Sequence, residues 1–584
     1  MNVSDSALLL QGVHDAGYKN VPVAVLSLPR RRPHSQRDEA QSIASIMFPE
    51  YSPEKALIHY EDHRKRAAAA HRAMTAAKVA EEQLRQEMGR PDKQHKPWDP
   101  QKDPVALPNA TPMPVAIGEK DDFKDCFAFL RDEKANQIEA LLNMPDPSSI
   151  LPSLRATIGE EPIYQSRLLE FKRGVVYEDG RLDLCKMVVG PDHIDELMDS
   201  LEGNRHIRHF LLGNNVITNH GARRIARFVK EHPERMKTWY LAGNHIKPAG
   251  LSDLAKALEA SEVLEQLWLK RNPLGPSSVS DLLNIIITAK QLAVLDIETC
   301  ELGDEGVAHL FTSLVDKPNS LEAIYINGNG VGFDATAAIA RFLASSTCKL
   351  KYLMMSSNPI GDAGAINLAS GLANNNNLEV LTVASCGLSS KGVSAICHAL
   401  ARHPKIRHLD LASRFTTGDL GQRFNYINDD AIEGINQIAS NSSLQFLHLG
   451  YVALSPDGLE RVRDAVVTSS SLVGFEASRI MLAEKGEQTD GQTCSLRVRR
   501  ALEANYLRLF GGKGQMADGV PYSKFISMTG PSRLLRNSPR VRLIDSVYRT
   551  RDKGKTASGK VRKYWDLEHN ENDRLVWERL DAIE

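Results

Sequence analysis

Residues 264–274 read Leu264-Glu-Gln-Leu267-Trp268-Leu269-Lys270-Arg271-Asn272-Pro-Leu274. Leucine holds the first, fourth, sixth and eleventh positions, and asparagine the ninth. The same line, Leu-x-x-Leu-x-Leu-x-x-Asn-x-Leu, starts also at Ile207, Met236, Leu292, Leu321, Leu350, Leu378, Ile406 and Leu444. From Ile207 onward, successive starts lie 29, 28, 28, 29, 29, 28, 28 and 38 residues apart, and a last strand begins 28 further on at Leu472. A degenerate copy opens near Asp179, with Leu182, Leu184 and Val189 in the apolar positions. Self-similarity at such a period marks stacked supersecondary units, none of which buries its apolar face alone.

Each copy reads as a short strand, a turn and a helix. Side chains alternate along a strand, so the fourth and sixth residues, such as Leu267 and Leu269 or Leu353 and Met355, face inward. The ninth position turns the chain and holds Asn215, Asn244, Asn272, Asn329 and Asn358, with Cys300 and Cys386 as structural substitutes. An asparagine there bonds the backbone of its own turn and of the next repeat. Segments such as Gly250–Leu258 and Gly392–Leu400 then show apolar spacings of three and four, the mark of an amphipathic helix.

Alternating 28- and 29-residue units with a full helix in each resemble the ribonuclease-inhibitor-like subfamily of leucine-rich repeats, over about half the chain. The resemblance implies an α/β class and a right-handed, curved solenoid (a horseshoe), with parallel strands lining its concave face and helices outside. That subfamily includes ribonuclease inhibitors, activators of the nuclear-transport GTPase, sensor domains of immune receptors and actin regulators. It specifies the fold far more closely than the function.

The chain of 584 residues divides, on this reading, into an irregular segment (1–51), a long polar helix (52–88) and a Pro-rich linker with a short helix near Asp121–Asn143 (89–165). An N-terminal cap (166–178), about ten repeats (179–478), a C-terminal cap (479–510) and a basic, partly flexible tail (511–584) follow. Apolar residues make up 42% and charged residues 25%, as in soluble globular proteins, and the net charge of −1 gives no global pull toward nucleic acid or membrane. No apolar run is long enough to span a bilayer, and no signal peptide is expected. Seven scattered cysteines without a Cys-x-x-Cys pair point to reduced thiols in a cytosolic or nuclear protein. Pro29-Arg-Arg-Arg-Pro33 reads as a solvated loop or a nuclear-localisation patch.

No catalytic or metal-binding constellation emerges, and no cofactor is implied. His209, His408 and His448 fall on strand positions of the concave face, as surface contacts. The fifth strand residues of successive repeats also point away from the core, which puts Tyr240, Trp268, Tyr325 and Met354 in one band, with Lys270, Arg271, Asp296 and Glu298 beside it. Large, stiff side chains of this kind suit a protein-binding hot spot. They equally suit packing against each other or against a flanking segment. The 38-residue spacing after Ile406 places an insertion within Ala412–Tyr426, whose Arg414, Phe415, Arg423, Phe424 and Tyr426 extend the candidate surface.

Between Arg497 and Lys563 there are 17 Lys/Arg against 4 Asp/Glu, whereas residues 179–478 carry 27 against 33. Tyr506, Phe510, Tyr522, Phe525 and Tyr548 are interleaved with the basic residues. This flank suits nucleic acid or an acidic partner, or a helical cap at Leu496–Phe510 followed by a solvated tail. The leading expectation is a non-catalytic interaction or adaptor protein that holds a protein partner on the concave face. A GTPase-activating protein for a nuclear-transport-type GTPase is the alternative from the same subfamily, although the basic C-terminal flank stands where that family has an acidic tail. A substrate-recognition subunit of a ubiquitin ligase is a further alternative, without a recognisable F-box.

Overall fold

The structure, a computed structural model, describes residues 115–143, 155–158, 167–412, 425, 427–452, 454–479 and 496–510, together with residues 97, 98, 522, 543, 544, 546 and 548. These fall into two compact units that divide between Tyr325 and Ile326, residues from Leu534 onward belonging to the first.

The first unit opens with helix α1 (Lys120–Arg131) and the strands β1 (Arg155–Ile158), β2 (Arg167–Glu170), β3 (Val175–Tyr177) and β4 (Arg181–Asp183), which pair antiparallel in that order. From β4 the pairing becomes parallel, through β5 (His209–Leu211), β6 (Thr238–Tyr240), β7 (Gln266–Trp268), β8 (Val294–Asp296) and β9 (Ala323–Tyr325). Helices α2 (Gly190–Leu201), α3 (Thr218–Glu231), α4 (Pro248–Leu258), α5 (Val279–Thr288) and α6 (Gly303–Leu314) alternate with them. The helix read from the sequence as part of a linker is docked: Phe123, Phe127, Phe129 and Leu130 of α1 are buried, and α1 packs on α2. Arg173, in the β2–β3 turn, holds the carboxylate of Asp122 in α1 at 2.8 Å, an ion pair shielded from water on both sides. The antiparallel strands and α1 thus close the end of the first repeat, whose apolar face would otherwise meet solvent.

The second unit carries β10 (Tyr352–Met354), β11 (Val380–Thr382), β12 (His408–Asp410), β13 (Phe446–Val452) and β14 (Gly474–Arg479), all parallel. Helices α7 (Phe333–Ala344), α8 (Gly361–Leu372), α9 (Ser390–Leu400), α10 (Ile432–Ala439) and α11 (Pro456–Thr468) lie between them. Helix α12 (Leu496–Phe510) packs on α11, buries Val498, Leu502 and Tyr506, and donates from Asn505 Nδ2 to the carbonyls of Ser469 and Leu472.

In both units the inward leucines form the core. Leu267, Leu269, Leu295, Leu353 and Met355 are all essentially inaccessible to solvent. The ninth-position side chains form a hydrogen-bonded ladder along the turns. Asn272 Oδ1 accepts from the N–H of Asn244 and of Ile246 in the preceding repeat, at 3.0 Å each. Its Nδ2 donates to the carbonyls of Leu241 and Leu269, at 3.0 and 2.6 Å. Asn358 does the same for Asn329, Val331, Ile326 and Met355. Cys300 and Cys386 take the same place, their thiols pointing at the carbonyls of Leu269 and Met355 at 3.4 Å while the backbone N–H groups of Asn272 and Asn358 act on the sulfurs. Just before the ladder residue the backbone is left-handed, with φ of 56° at Asn214, 58° at Arg271, 52° at Thr299 and 60° at Ser357. The ladder holds these residues in a conformation that non-glycine residues otherwise avoid.

A second ladder, not read from the sequence, ties helix ends to strand starts. Asn204 Oδ1, Asn375 Oδ1 and His403 Nδ1 each accept two N–H groups at the entry to the next strand. Asn375 and Asn441 also donate to the carbonyls of Leu343 and Leu400 at the preceding helix ends.

Asn272→Ala leaves two N–H and two C=O groups unpaired inside the stack, at about 1–3 kcal/mol for each such group. Chemical denaturation should show a loss of about 3 kcal/mol or more on that scale. Asn272→Cys, which repeats the chain's own choice at Cys300 and Cys386, should cost less. A second expectation concerns acid. Burial pushes the imidazoles of His403 and His209 down to about 4, with the Lys405 charge adding to the effect at His403. Their stabilising contribution is therefore complete above about pH 6.5, the unfolded value, and is lost as pH falls toward 4, by up to about 3 kcal/mol for each. His403→Asn keeps the acceptor that Asn375 uses, and should flatten part of the acid limb in a stability-versus-pH profile.

Candidate functional site

The face of the sheet opposite the helices carries the candidate residues in register. In the first unit, strand pairing aligns Asp183, Leu211, Tyr240, Trp268, Asp296 and Tyr325 in one row. The ring of Trp268 lies 6.0 Å from that of Tyr240 and 5.2 Å from that of Tyr325. Trp268 and Tyr325 thus meet across the strand that carries Asp296. Trp268 Nε1 donates to Gln266 Oε1 at 3.3 Å, and Lys270 Nζ stands 3.7 Å from Asp296 Oδ2. Glu298 follows on the same strand exit, and Arg271 projects from the turn into solvent.

The row was expected to meet a partner or to pack against itself or a flanking segment, and its side chains are covered. Trp268 is 3% exposed, Tyr240 5% and Asp296 1%. Only Tyr325, Lys270 and Glu298 are half-buried and Arg271 exposed. The aromatics point away from the repeat core, as the alternation requires, and they are nevertheless covered. Along the row the rings contact one another, and Trp268 bonds Gln266.

Aspartates in this row have a backbone task that spacing alone did not reveal. Asp183, Asp296 and Asp410 each accept, at 3.0 Å, the N–H two residues downstream, of Cys185, Glu298 and Ala412. This side-chain turn bends the strand out of the sheet and into the ladder position. Burial raises the carboxyl of Asp183 to about 6, against the opposing pull of these hydrogen bonds and of Arg181.

In the second unit the equivalent row runs Met354, Thr382, Asp410, His448 and Glu476. Met354 is buried, with Thr382 Oγ1 at 3.9 Å from its sulfur. The His408 and His448 rings stack at 5.2 Å, and His448 Nδ1 lies 3.3 Å from Glu476 Oε2. The surface placement expected for His209, His408 and His448 is corrected, since all three are buried. Among the described residues no group of three His, Cys, Asp or Glu side chains is arranged to hold a metal ion. No helix of the described residues is long and apolar enough to cross a membrane.

The insertion candidates Arg414, Phe415, Arg423, Phe424 and Tyr426 lie outside the described residues. The chain returns at Asn425, whose Oδ1 accepts from Cys386 and Leu388 N–H and whose Nδ2 donates to Val383 and Leu411 carbonyls. Asn425 is therefore the ladder residue of this repeat, carried past the insertion; the pattern Asn425-Tyr-Ile427 was its signal in the sequence. The aromatics of the basic flank behave differently from a base-stacking platform. Tyr506 packs on Tyr522, whose hydroxyl donates to Val473 O at 2.8 Å, and Tyr548 is buried in the first unit. Phe525 lies outside the described residues.

This chain is similar to known proteins in part of its sequence and more distantly in structure. The family described as "Leucine Rich repeat" matches residues 347–369 and 374–397. A ribonuclease inhibitor of Sus scrofa is 23% identical over 245 residues, which is 41% of this chain and 46% of the inhibitor. The chain thus spans less than half the length of that relative. Among solved structures, the complex of Rad7 and Elc1 in yeast aligns at a TM-score of 0.31 and 14% identity, over 55% of this chain and 75% of that one. An internalin from Listeria monocytogenes aligns at 0.31 and 15%, over 62% and 92%. The 28- and 29-residue period, the helix in every unit and the matched repeats show that this chain carries leucine-rich repeats, and over 245 residues it is similar to a ribonuclease inhibitor.

Proposed function

We propose that the chain is a non-catalytic interaction protein that holds a protein partner on the sheet face carrying Tyr240, Trp268 and Tyr325 in the first unit, with Met354 a candidate contact of the second unit in its own right. The observation that carries this reading is the placement of Tyr240, Trp268 and Tyr325 in one register row on the side away from the core. The core does not need them, because Trp239, Phe210 and Phe228 already fill it with edge-to-face contacts at 5.3 and 6.3 Å. Lys270, Arg271 and Glu298 beside the row offer charges of both signs that orient a partner, Asp296 being buried within the row itself. The insertion residues Arg414, Phe415, Arg423, Phe424 and Tyr426 are proposed to extend the contact. The matched relative is named an inhibitor of ribonuclease, itself a protein, and that role is of the same class.

Because the row is covered, a partner gains these aromatics only by exchanging them for contacts already made. The test compares two tryptophans one residue-row apart. Trp239→Ala in the core should cost about 3–5 kcal/mol of stability. Trp268→Ala should cost less stability, yet weaken binding of a purified partner by about 2 kcal/mol or more, the scale of hot-spot residues. Calorimetry on the captured partner and denaturation of both variants measure the two quantities. Full partner affinity in Trp268→Ala would refute the reading.

A further inference from the structure

The row that begins at Asp183 is met by another part of the same chain. Ile544 and Tyr548, from the basic C-terminal flank, are buried, and Ser546 lies between them. Ser546 Oγ donates to Asp183 Oδ1 at 2.9 Å, across 363 residues of sequence. The same Oγ accepts from the N–H of Tyr548 at 3.1 Å, so the hydroxyl relays a backbone donor onto the buried carboxylate. Tyr548 Oη accepts from the N–H of Gly174 at 3.2 Å, in the turn between β2 and β3. Ser546 and Tyr548 therefore both engage the first unit, and Ile544 two residues before them is buried.

We propose that Ser546 and Tyr548 of the C-terminal flank are an intramolecular ligand of this sheet face, latched by Ser546 on Asp183 and by Tyr548 on Gly174, and that a charge added at Ser546 releases it. Asp183 has two reasons to recognise a hydroxyl. Its Oδ1 already receives the Cys185 N–H, and it lies fully buried, so a neutral donor satisfies it where a second anion repels it. The groups around the latch are Arg181, whose guanidinium stacks 3.9 Å over the Tyr177 ring, with Asp179, Glu170 and His209. Arg181 is committed to Asp179, with Nη2 at 2.8 Å from its Oδ2. A phosphate or carboxylate at position 546 would thus stand within hydrogen-bond reach of the Asp183 carboxylate, where the hydroxyl now donates. Tyr548 supplies the area: its ring is buried, and burial together with the Asp183 charge holds its phenol neutral.

The inference concerns which segment lies on the face, and rests on the proposed function only where partner and segment are said to compete. The experiment is hydrogen–deuterium exchange on the full chain. In the natural chain, peptides covering Gly174 and residues 543–548 should be protected, and Ser546→Glu should raise exchange at both by about tenfold or more, leaving β7 and β8 unchanged. Asp183→Asn retains an acceptor for Cys185 and Ser546, and should keep the protection. A peptide of the sequence Arg540–Arg551, added to the Ser546→Glu chain, should restore protection at Gly174; the same peptide with Tyr548→Ala should not. Unprotected 543–548 in the natural chain, or equal exchange at Gly174 in the natural and Ser546→Glu chains, would overturn the proposal. Partner affinity is read separately: tighter binding by Ser546→Glu shows competition for one face. Unchanged affinity with altered exchange removes the shared face but leaves the latch standing.

Discussion

The structure depends on one constraint: every repeat turns its backbone sharply between strand and helix, inside the stack and out of reach of water. Buried N–H and C=O groups at such a turn have to find partners. The ladder asparagines supply them, because a carboxamide is at once a donor and an acceptor and can serve two repeats together. Asn272 and Asn358 each bond four backbone groups, so the stacking of repeats and the satisfaction of turns are the same interaction. A thiol fills the place with one proton to donate and a sulfur that accepts more weakly than a carboxamide oxygen, and burial pushes the Cys386 thiol up to about 12, which keeps that proton in place. The cysteines of these turns are thereby structural and chemically quiet.

The helix-to-strand ladder solves the same problem at the opposite edge. Its residues vary more, with Asn204, Asn375 and Asn441, His403 and Ser469 in equivalent places. His403 shows the consequence of that freedom. Only a neutral imidazole accepts at Nδ1, so this repeat acquires an acid sensitivity that an asparagine would not bring.

The fold was legible because its apolar positions recur with the period of the unit, and period survives substitution. The inward pairs Leu267 and Leu269, or Leu353 and Met355, were read correctly from alternation alone. What alternation does not carry is whether an outward position is wet. Trp268 and Asp296 point where they were expected to point and are covered all the same. Hydrogen bonds that run between distant positions, such as Ser546 to Asp183, leave no local trace in a sequence either. Asn425 is the intermediate case: its Asn-x-Ile pattern is local, but the insertion displaces it from the expected count.

The covered face also bears on how recognition can work. A row containing Tyr240, Trp268 and Tyr325 would, if left open, expose an apolar patch of the kind that soluble proteins keep small. Covering it with the chain's own groups removes that cost and adds a competitor. A partner's affinity is then the difference between its own contacts and those it displaces, so a modest change in the internal contact shifts apparent affinity by the same free energy. The aspartates fit this arrangement. Asp183, Asp296 and Asp410 are needed by the backbone for their turns, so each repeat that has one places a buried acceptor on the face at no further structural cost. Asp183 uses its acceptor to hold Ser546. The same geometry that bends the chain out of a strand therefore also decides which donors the face will accept.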